Sequence, residues 1–141
     1  MRGQMHLIDT SICVAILRGV SPHVAPRFRA AMRSGVAVSS ITAAELHYGA
    51  ERSSNPARER VGVENLLAAV TILPFDGKAA EGYGMLRRYL ERRGQTIGQF
   101  DLLIAAHAVA QNATLVTNNT REFSRVPTLA IEDWLLTAAA T

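Results

Sequence analysis

Short apolar runs alternate with longer helical patterns along the chain, and no other feature limits the possible folds so strongly. The runs fall at Met5–Ile8, Val36–Val38, Val70–Leu73, Thr114–Thr117 and, more weakly, Thr128–Ile131. Between them lie helical stretches over Thr10–Arg18, Pro22–Arg33, Thr42–Arg52, Ala57–Ala69, Asp76–Arg93 and Phe100–Gln111, with a last short one over Asp133–Thr137. Gly35 closes the second helix, Ser53-Ser54-Asn55-Pro56 breaks the chain before the fourth, and Asp76 is placed to cap the fifth. Strands separated by helices cannot form tight hairpins. The chain must cross over between them, which makes the strands parallel and requires helices on both faces of the sheet. The expected architecture is a single α/β domain over residues 1–141, with a parallel sheet of about four to five strands covered by helices on both faces.

Composition narrows the class further. Apolar residues make up 48% and charged residues 19%, as in an ordinary globular domain. No apolar run is long enough to span a bilayer, and no secretory signal pattern opens the chain, so the expectation is a cytoplasmic protein with no membrane partner. The lone Cys13 excludes an internal disulfide and a cysteine metal cluster, and its apolar neighbours Ile12, Val14 and Ala15 predict a buried, unreactive thiol. Net charge is +3, and of 15 basic residues only Lys78 is lysine. Guanidinium forks match phosphate oxygens better than ammonium does, so a polyanionic partner is one reading. Genome composition alone is the other.

The acids carry the chemistry. In parallel α/β sheets, ligands bind beyond the carboxyl ends of the strands. Asp9 follows the first strand, Glu45 opens the helix after Val36–Val38, and Asp101 opens the helix leading into Thr114–Thr117. Asn118, Asn119 and Glu122 follow that last strand. Carboxylates gathered at one rim would raise one another's pKa unless a divalent cation neutralised them. Oxygen donors without a histidine or cysteine cluster suit magnesium, with manganese as a substitute.

Each acid also has a plainer explanation. Asp9 would serve as a helix cap. Thr42-Ala43-Ala44-Glu45 has the form of a capping box, with Glu45 bonding back to the Thr42 amide. Asp101 would be a favourable first-turn charge. Yet Asp101 heads the apolar segment Leu102-Leu103-Ile104-Ala105-Ala106, which predicts half-burial and a need for a partner. Glu122 lies in a polar stretch and reads alone as a solvated residue.

Four ordered segments together resemble the PIN-domain ribonucleases, and closely the VapC toxins of bacterial toxin–antitoxin pairs. They are Leu7-Ile8-Asp9-Thr10-Ser11; Val38-Ser39-Ser40-Ile41-Thr42-Ala43-Ala44-Glu45-Leu46 with Tyr48-Gly49; Ile97 to Ala108 around Asp101; and Leu115-Val116-Thr117-Asn118-Asn119-Thr120-Arg121-Glu122-Phe123. The resemblance covers nearly the full length. It implies that Asp9 and Asp101 are the main Mg2+ ligands and that Glu45 completes the acidic triad. The fourth motif often has an aspartate where this chain has Asn119, and Glu122 is then the candidate for the fourth charge. Thr10 and Thr117 would be polar supports around the pocket, and Asn119 and Arg121 would face substrate.

The implied reaction is magnesium-dependent hydrolysis of structured RNA, often transfer RNA, leaving a 3′-hydroxyl and a 5′-phosphate. Implied partners are a cognate VapB-type antitoxin, operator DNA bound through the antitoxin complex, and a second copy in a homodimer. Further arginines offered for RNA are Arg88 and Arg92, whose plainer role is a solvated face paired with Glu91, and Arg125. Leu46, Tyr48 and Trp134 are candidates for exposed apolar contacts, with core packing as the plainer role. Three rivals stand beside this reading. A histidine ribonuclease would need His6, His23, His47 or His107 to converge. An aspartate phosphatase would want an acid where Ser11 stands. A catalytically dead module acting with a partner would have no use for the carboxylates.

Overall fold

A computed structural model describes residues 5–136. The alternating pattern resolves into β1 (His6–Ile8), α1 (Thr10–Arg18), α2 (Val24–Ala31), β2 (Val36–Ser39), α3 (Ser40–Glu51), α4 (Pro56–Ala69), β3 (Thr71–Leu73), α5 (Gly77–Arg92), α6 (Gln99–Ala110), β4 (Thr114–Val116), α7 (Thr120–Phe123) and β5 (Ile131–Glu132). The five strands form one sheet in the order β3-β2-β1-β4-β5. Every neighbouring pair is parallel.

Successive side chains on a strand point to opposite faces. Leu7, Ala37 and Leu115 therefore pack with Leu90 of α5 and with Leu102, Ile104 and Ala105 of α6. Their neighbours Ile8, Val38 and Val116 pack on the other side with Ile12 and Cys13 of α1, Leu46 of α3 and Leu66 of α4. Two cores result, one on each face, which is why the strands read as continuous apolar runs rather than alternating ones. Cys13 lies in the second core as a free thiol, and burial pushes its pKa far up.

The chain builds the sheet outward from β1 through β2 to β3, then returns to lay β4 and β5 on the other side of β1. The direction of winding reverses between β1 and β4. At such a point the following helices leave to opposite faces and open a crevice beyond the carboxyl ends. Asp9 ends β1 and Thr117 follows β4 at that place.

Several boundaries differ from the sequence pattern for identifiable reasons. The strand expected over Thr128–Ile131 is Ile131–Glu132, because Thr128 turns the chain with a φ of 65°. A short helix, α7, occupies the polar stretch after β4. Beyond β5, Asp133–Leu136 forms a turn closed by the Asp133 carboxylate on the Leu135 amide at 2.9 Å, and not the start of a helix. Thr137, the end of that expected helix, lies outside the described residues. Asp76 caps α5 as expected, accepting from the Ala79 amide at 3.0 Å. Among the described residues no helix is long and apolar enough to cross a membrane.

Candidate active site at the carboxyl edge of the sheet

Asp9 leaves β1 and turns directly into α1. Its Oδ1 accepts from the Ile12 amide at 3.0 Å, the N-cap bond, and from the Ser11 hydroxyl at 2.7 Å. Its Oδ2 accepts from the Thr117 hydroxyl at 2.5 Å. Thr117 is fully buried and its oxygen also takes the Asn119 amide at 2.9 Å, which places it behind Asp9 and away from any surface a substrate would touch. Asp9 itself is only 3% exposed. That burial pushes its pKa above the ordinary aspartate value, and the three hydrogen-bond donors offset part of the rise.

Glu45 reaches the same rim from the second turn of α3. The expected capping box does not form. The helix begins at Ser40 and Ser39 is its cap, accepting from the Ile41 amide at 3.1 Å. Thr42 is fully buried inside the helix and its hydroxyl has no partner among the described residues. Glu45 is thereby released from capping, and its Oε1 accepts from the Thr10 hydroxyl at 2.5 Å. That bond spans α1 and α3, and it sets Glu45 beside the residue following Asp9.

Asp101 stands in the first turn of α6, half-buried. Its partner is Asn119, whose Nδ2 donates to Asp101 Oδ2 at 3.2 Å and to Glu122 Oε2 at 2.7 Å. One side-chain amide thus spans the first turn of α6 and the first turn of α7. Burial is the largest cause raising the Asp101 pKa; the charges of Asp9, Glu122 and Glu45 raise it further, while the Asn119 bond lowers it. Four acids from four helix starts therefore share one field. Among the described residues no arginine or lysine forms an ion pair with any of the four.

That arrangement tests the fit to a cation. The donors are all carboxylates, hydroxyls and one amide, which suits a hard divalent ion. Among the described residues no three His, Cys, Asp or Glu side chains close on a single ion position. A magnesium ion commonly takes one or two carboxylates and keeps several waters, so such an ion does not require three converging acids.

The other candidates separate. Arg121 is exposed on α7, next to Glu122 in sequence. Arg125 donates to the Thr96 carbonyl at 2.8 Å and ties α7 to the loop before α6. Leu46 and Trp134 are core residues, whereas Tyr48 is 68% exposed. Tyr48, Leu17 and Arg52 line a groove of about 1110 Å³ that starts at Thr10 and Glu45. The histidines do not converge: His47 is exposed on α3, and His107 is fully buried with its Nδ1 2.8 Å from the Ser39 hydroxyl. Ser11 was not anticipated as a member of the site. Its hydroxyl bonds Asp9 and also takes the Asn118 amide at 3.3 Å, linking the two strand ends. A serine two residues past a strand-ending aspartate was the available signal.

A parallel sheet with acids collected at its winding reversal marks an α/β ligand site, and the family model that matches the chain, over residues 6–129, is that of the PIN domain. Similar proteins carry the assignment further. "Ribonuclease VapC2" of Rickettsia felis is 41% identical over 131 residues, covering 92% of this chain and 98% of that protein. "tRNA(fMet)-specific endonuclease VapC" of Salmonella typhimurium is 39% identical over 128 residues, covering 91% and 96%. The crystal structure of VapBC2 from Rickettsia felis bound to a DNA fragment from their promoter contains a chain of the same fold. Its TM-score is 0.88 at 37% identity, covering 92% of this chain and 98% of that one. The chain belongs to the PIN-domain family and, within it, to the VapC ribonucleases.

Proposed function

We propose that this protein is a magnesium-dependent endoribonuclease toxin, cytoplasmic, that hydrolyses phosphodiester bonds in structured RNA. Transfer RNA is the first substrate to test, because a relative with 39% identity is named for the initiator transfer RNA. The observation that carries the reading is the gathering of Asp9, Glu45, Asp101 and Glu122 at one rim, held by Thr117, Thr10 and Asn119, with no cationic side chain paired to any of them among the described residues. Such a site is incomplete until a cation and a polyanion enter it.

Asp9 and Asp101 would hold Mg2+, which when bound supplies a water of lowered pKa and neutralises charge on the phosphoryl oxygens. The remaining steps belong to the chain. Thr117 and Ser11 fix both oxygens of Asp9. Asn119 bridges Asp101 and Glu122 through its side-chain amide. Glu45, held at Oε1 by Thr10, accepts the proton of the attacking water at its other oxygen. The water oxygen bonds to phosphorus as the bond to the 3′ oxygen breaks in line. That oxygen takes up a proton from solvent, leaving a 3′-hydroxyl and a 5′-phosphate.

The groove beside Glu45 fits an antitoxin segment. Leu17 and Tyr48 offer apolar surface and Arg52 stacks over the Tyr48 ring at 5.8 Å. The solved relative was crystallised as VapBC2 on promoter DNA, which supports a VapB-type antitoxin and operator binding through the complex; a homodimeric toxin is a further part of the proposal. The deciding experiment incubates purified protein with bulk transfer RNA and Mg2+. Cleavage is expected, with loss on EDTA addition and in Asp9→Asn. Cleavage that survives excess EDTA would sink the metal-dependent reading.

A further inference from the structure

One face of α5 takes no part in the site described above. Its inner side packs on α6 through Leu90 and the partly buried Tyr83 and Leu86. The outer side carries Met85, 76% exposed, and Tyr89, 39% exposed, one turn apart. Arg88 and Arg92 flank them, and Arg93 lays its guanidinium over the Tyr89 ring at 5.2 Å. Together they line a shallow groove of about 610 Å³. The one acid within Met85–Arg93, Glu91, is shared between Arg87 at 3.2 Å and Arg88 at 3.6 Å, whereas Arg92 has no ion pair among the described residues.

The position of the face matters as much as its chemistry. A short loop joins the end of α5 to the start of α6, where Asp101 stands, and Arg125 clamps that loop through Thr96. The arginine-rich end of α5 is therefore the end nearest the acids. From Met85 to Arg93 the helix advances about 12 Å, enough to meet more than one nucleotide.

We infer that the Met85–Arg93 face of α5 is a second RNA-binding surface, taking an unpaired base on Tyr89 and Met85 and the adjoining phosphates on Arg88 and Arg92. An aromatic ring stacks on a base of any sequence, and forked guanidinium groups match phosphate oxygens. A stacking ring asks for an unstacked base, which points to a loop of folded RNA rather than duplex DNA. A second copy of the chain is the weaker occupant. A two-fold contact would set this arginine cluster against itself. The inference rests on the ribonuclease reading of the acidic site.

The test compares wild type, Tyr89→Ala, Tyr89→Phe and Arg88→Ala/Arg92→Ala on two substrates: bulk transfer RNA, and an oligonucleotide too short to reach α5 from Asp101. For transfer RNA, KM should rise about tenfold in the double variant, with a shallower dependence on salt and little change in kcat. Tyr89→Ala should raise KM without altering the salt dependence, and Tyr89→Phe should restore it. Kinetics on the short substrate should not change. Unchanged KM and salt dependence on transfer RNA, with wild type active, would overturn the surface alone. Variants that alter the sedimenting mass while KM stays constant would also overturn it, and assign the face to a copy of the chain. Wild type that cleaves no better than Asp9→Asn would overturn the acidic-site reading, and this surface with it.

Discussion

Asp9 and Ser39 end two adjacent parallel strands and do the same structural work. Each turns its strand into a helix and accepts a backbone amide as the cap, from Ile12 at 3.0 Å and from Ile41 at 3.1 Å. Each is almost completely buried. Ser39 shows that a neutral hydroxyl meets the capping requirement at this edge of the sheet. A carboxylate in the equivalent place on β1 adds nothing to the cap and carries a desolvation cost, visible in its raised pKa. Its second oxygen is held by Thr117, whereas the Ser39 hydroxyl meets the Nδ1 of buried His107. The difference teaches that the cap does not require the charge at Asp9, which on the proposed function serves the metal site, whereas polarity at Ser39 serves the scaffold.

The largest effect should come from exchanging those roles. Asp9→Asn keeps an oxygen for the Ile12 amide and so keeps the cap, but should lower kcat/KM by at least about a thousandfold. Ser39→Ala should stay within several-fold of wild type in activity while losing about 1–3 kcal/mol of stability, from the missing cap and the unpaired histidine. Equal activity losses in the two variants, measured well below their melting temperatures, would erase the distinction.

Metal addition sharpens the same contrast. Mg2+ should raise the melting temperature of wild type, by the equivalent of about 2.7 kcal/mol at a hundredfold excess over Kd. Ser39→Ala should respond in the same way, and Asp9→Asn and Asp101→Asn should not. An equal rise in all four proteins would mean that the ion acts elsewhere.

The pH dependence of metal-free stability has a defined sign. Burial raises the folded-state pKa of Asp9 and Asp101 above the ordinary aspartate value. In that window the folded chain binds more protons than the unfolded chain, so stability falls as pH rises from the ordinary value through the raised ones. His107 works from the other side. Burial lowers its pKa, so stability is lost as pH falls from the unfolded histidine value, about 6.5, towards the lowered one. Asp101→Asn should flatten the acidic slope and melt above wild type at neutral pH without metal. A lower melting temperature would mean that its bond to Asn119 outweighs the cost of its burial and of the neighbouring charges.

The parallel sheet and the common rim of Asp9, Glu45 and Asp101 were legible because apolar runs and strand-following acids are local patterns, whereas Glu122 reads alone as a solvated residue and enters as the fourth charge only through the family resemblance. For Glu45 the sequence leaves both a cap and the acidic site open. Thr42-Ala43-Ala44-Glu45 satisfies the capping-box spacing, but Ser39 and Ser40 start the helix earlier, and only tertiary packing shows Thr10 as the partner of Glu45. The link made by Asn119 was hidden for the same reason, since Asp101 precedes it by 18 residues and joins it only through the fold. Tyr48, Leu46 and Trp134 read alike as apolar, and helix phase alone did not say which of them faces solvent.

Arg121 and Arg125 repeat the contrast between charge and scaffold on a smaller scale. Both follow β4, one turn apart. Arg125 is committed to the Thr96 carbonyl, so Arg125→Ala should release the loop before α6 and lower the melting temperature. Arg121 is exposed, and in the described residues only its carbonyl is engaged, by the Ser124 hydroxyl at 2.7 Å. Its guanidinium is free to meet a phosphate beside the acids. Arg121→Ala should therefore leave stability unchanged and reduce the salt dependence of RNA binding by about 0.7–0.9, the share of one phosphate contact. The measurement is the slope of log Kd against log salt for transfer RNA bound to protein carrying Asp9→Asn, so that cleavage does not interfere. If Arg125→Ala changes that slope and Arg121→Ala does not, the assignment of the two arginines is reversed.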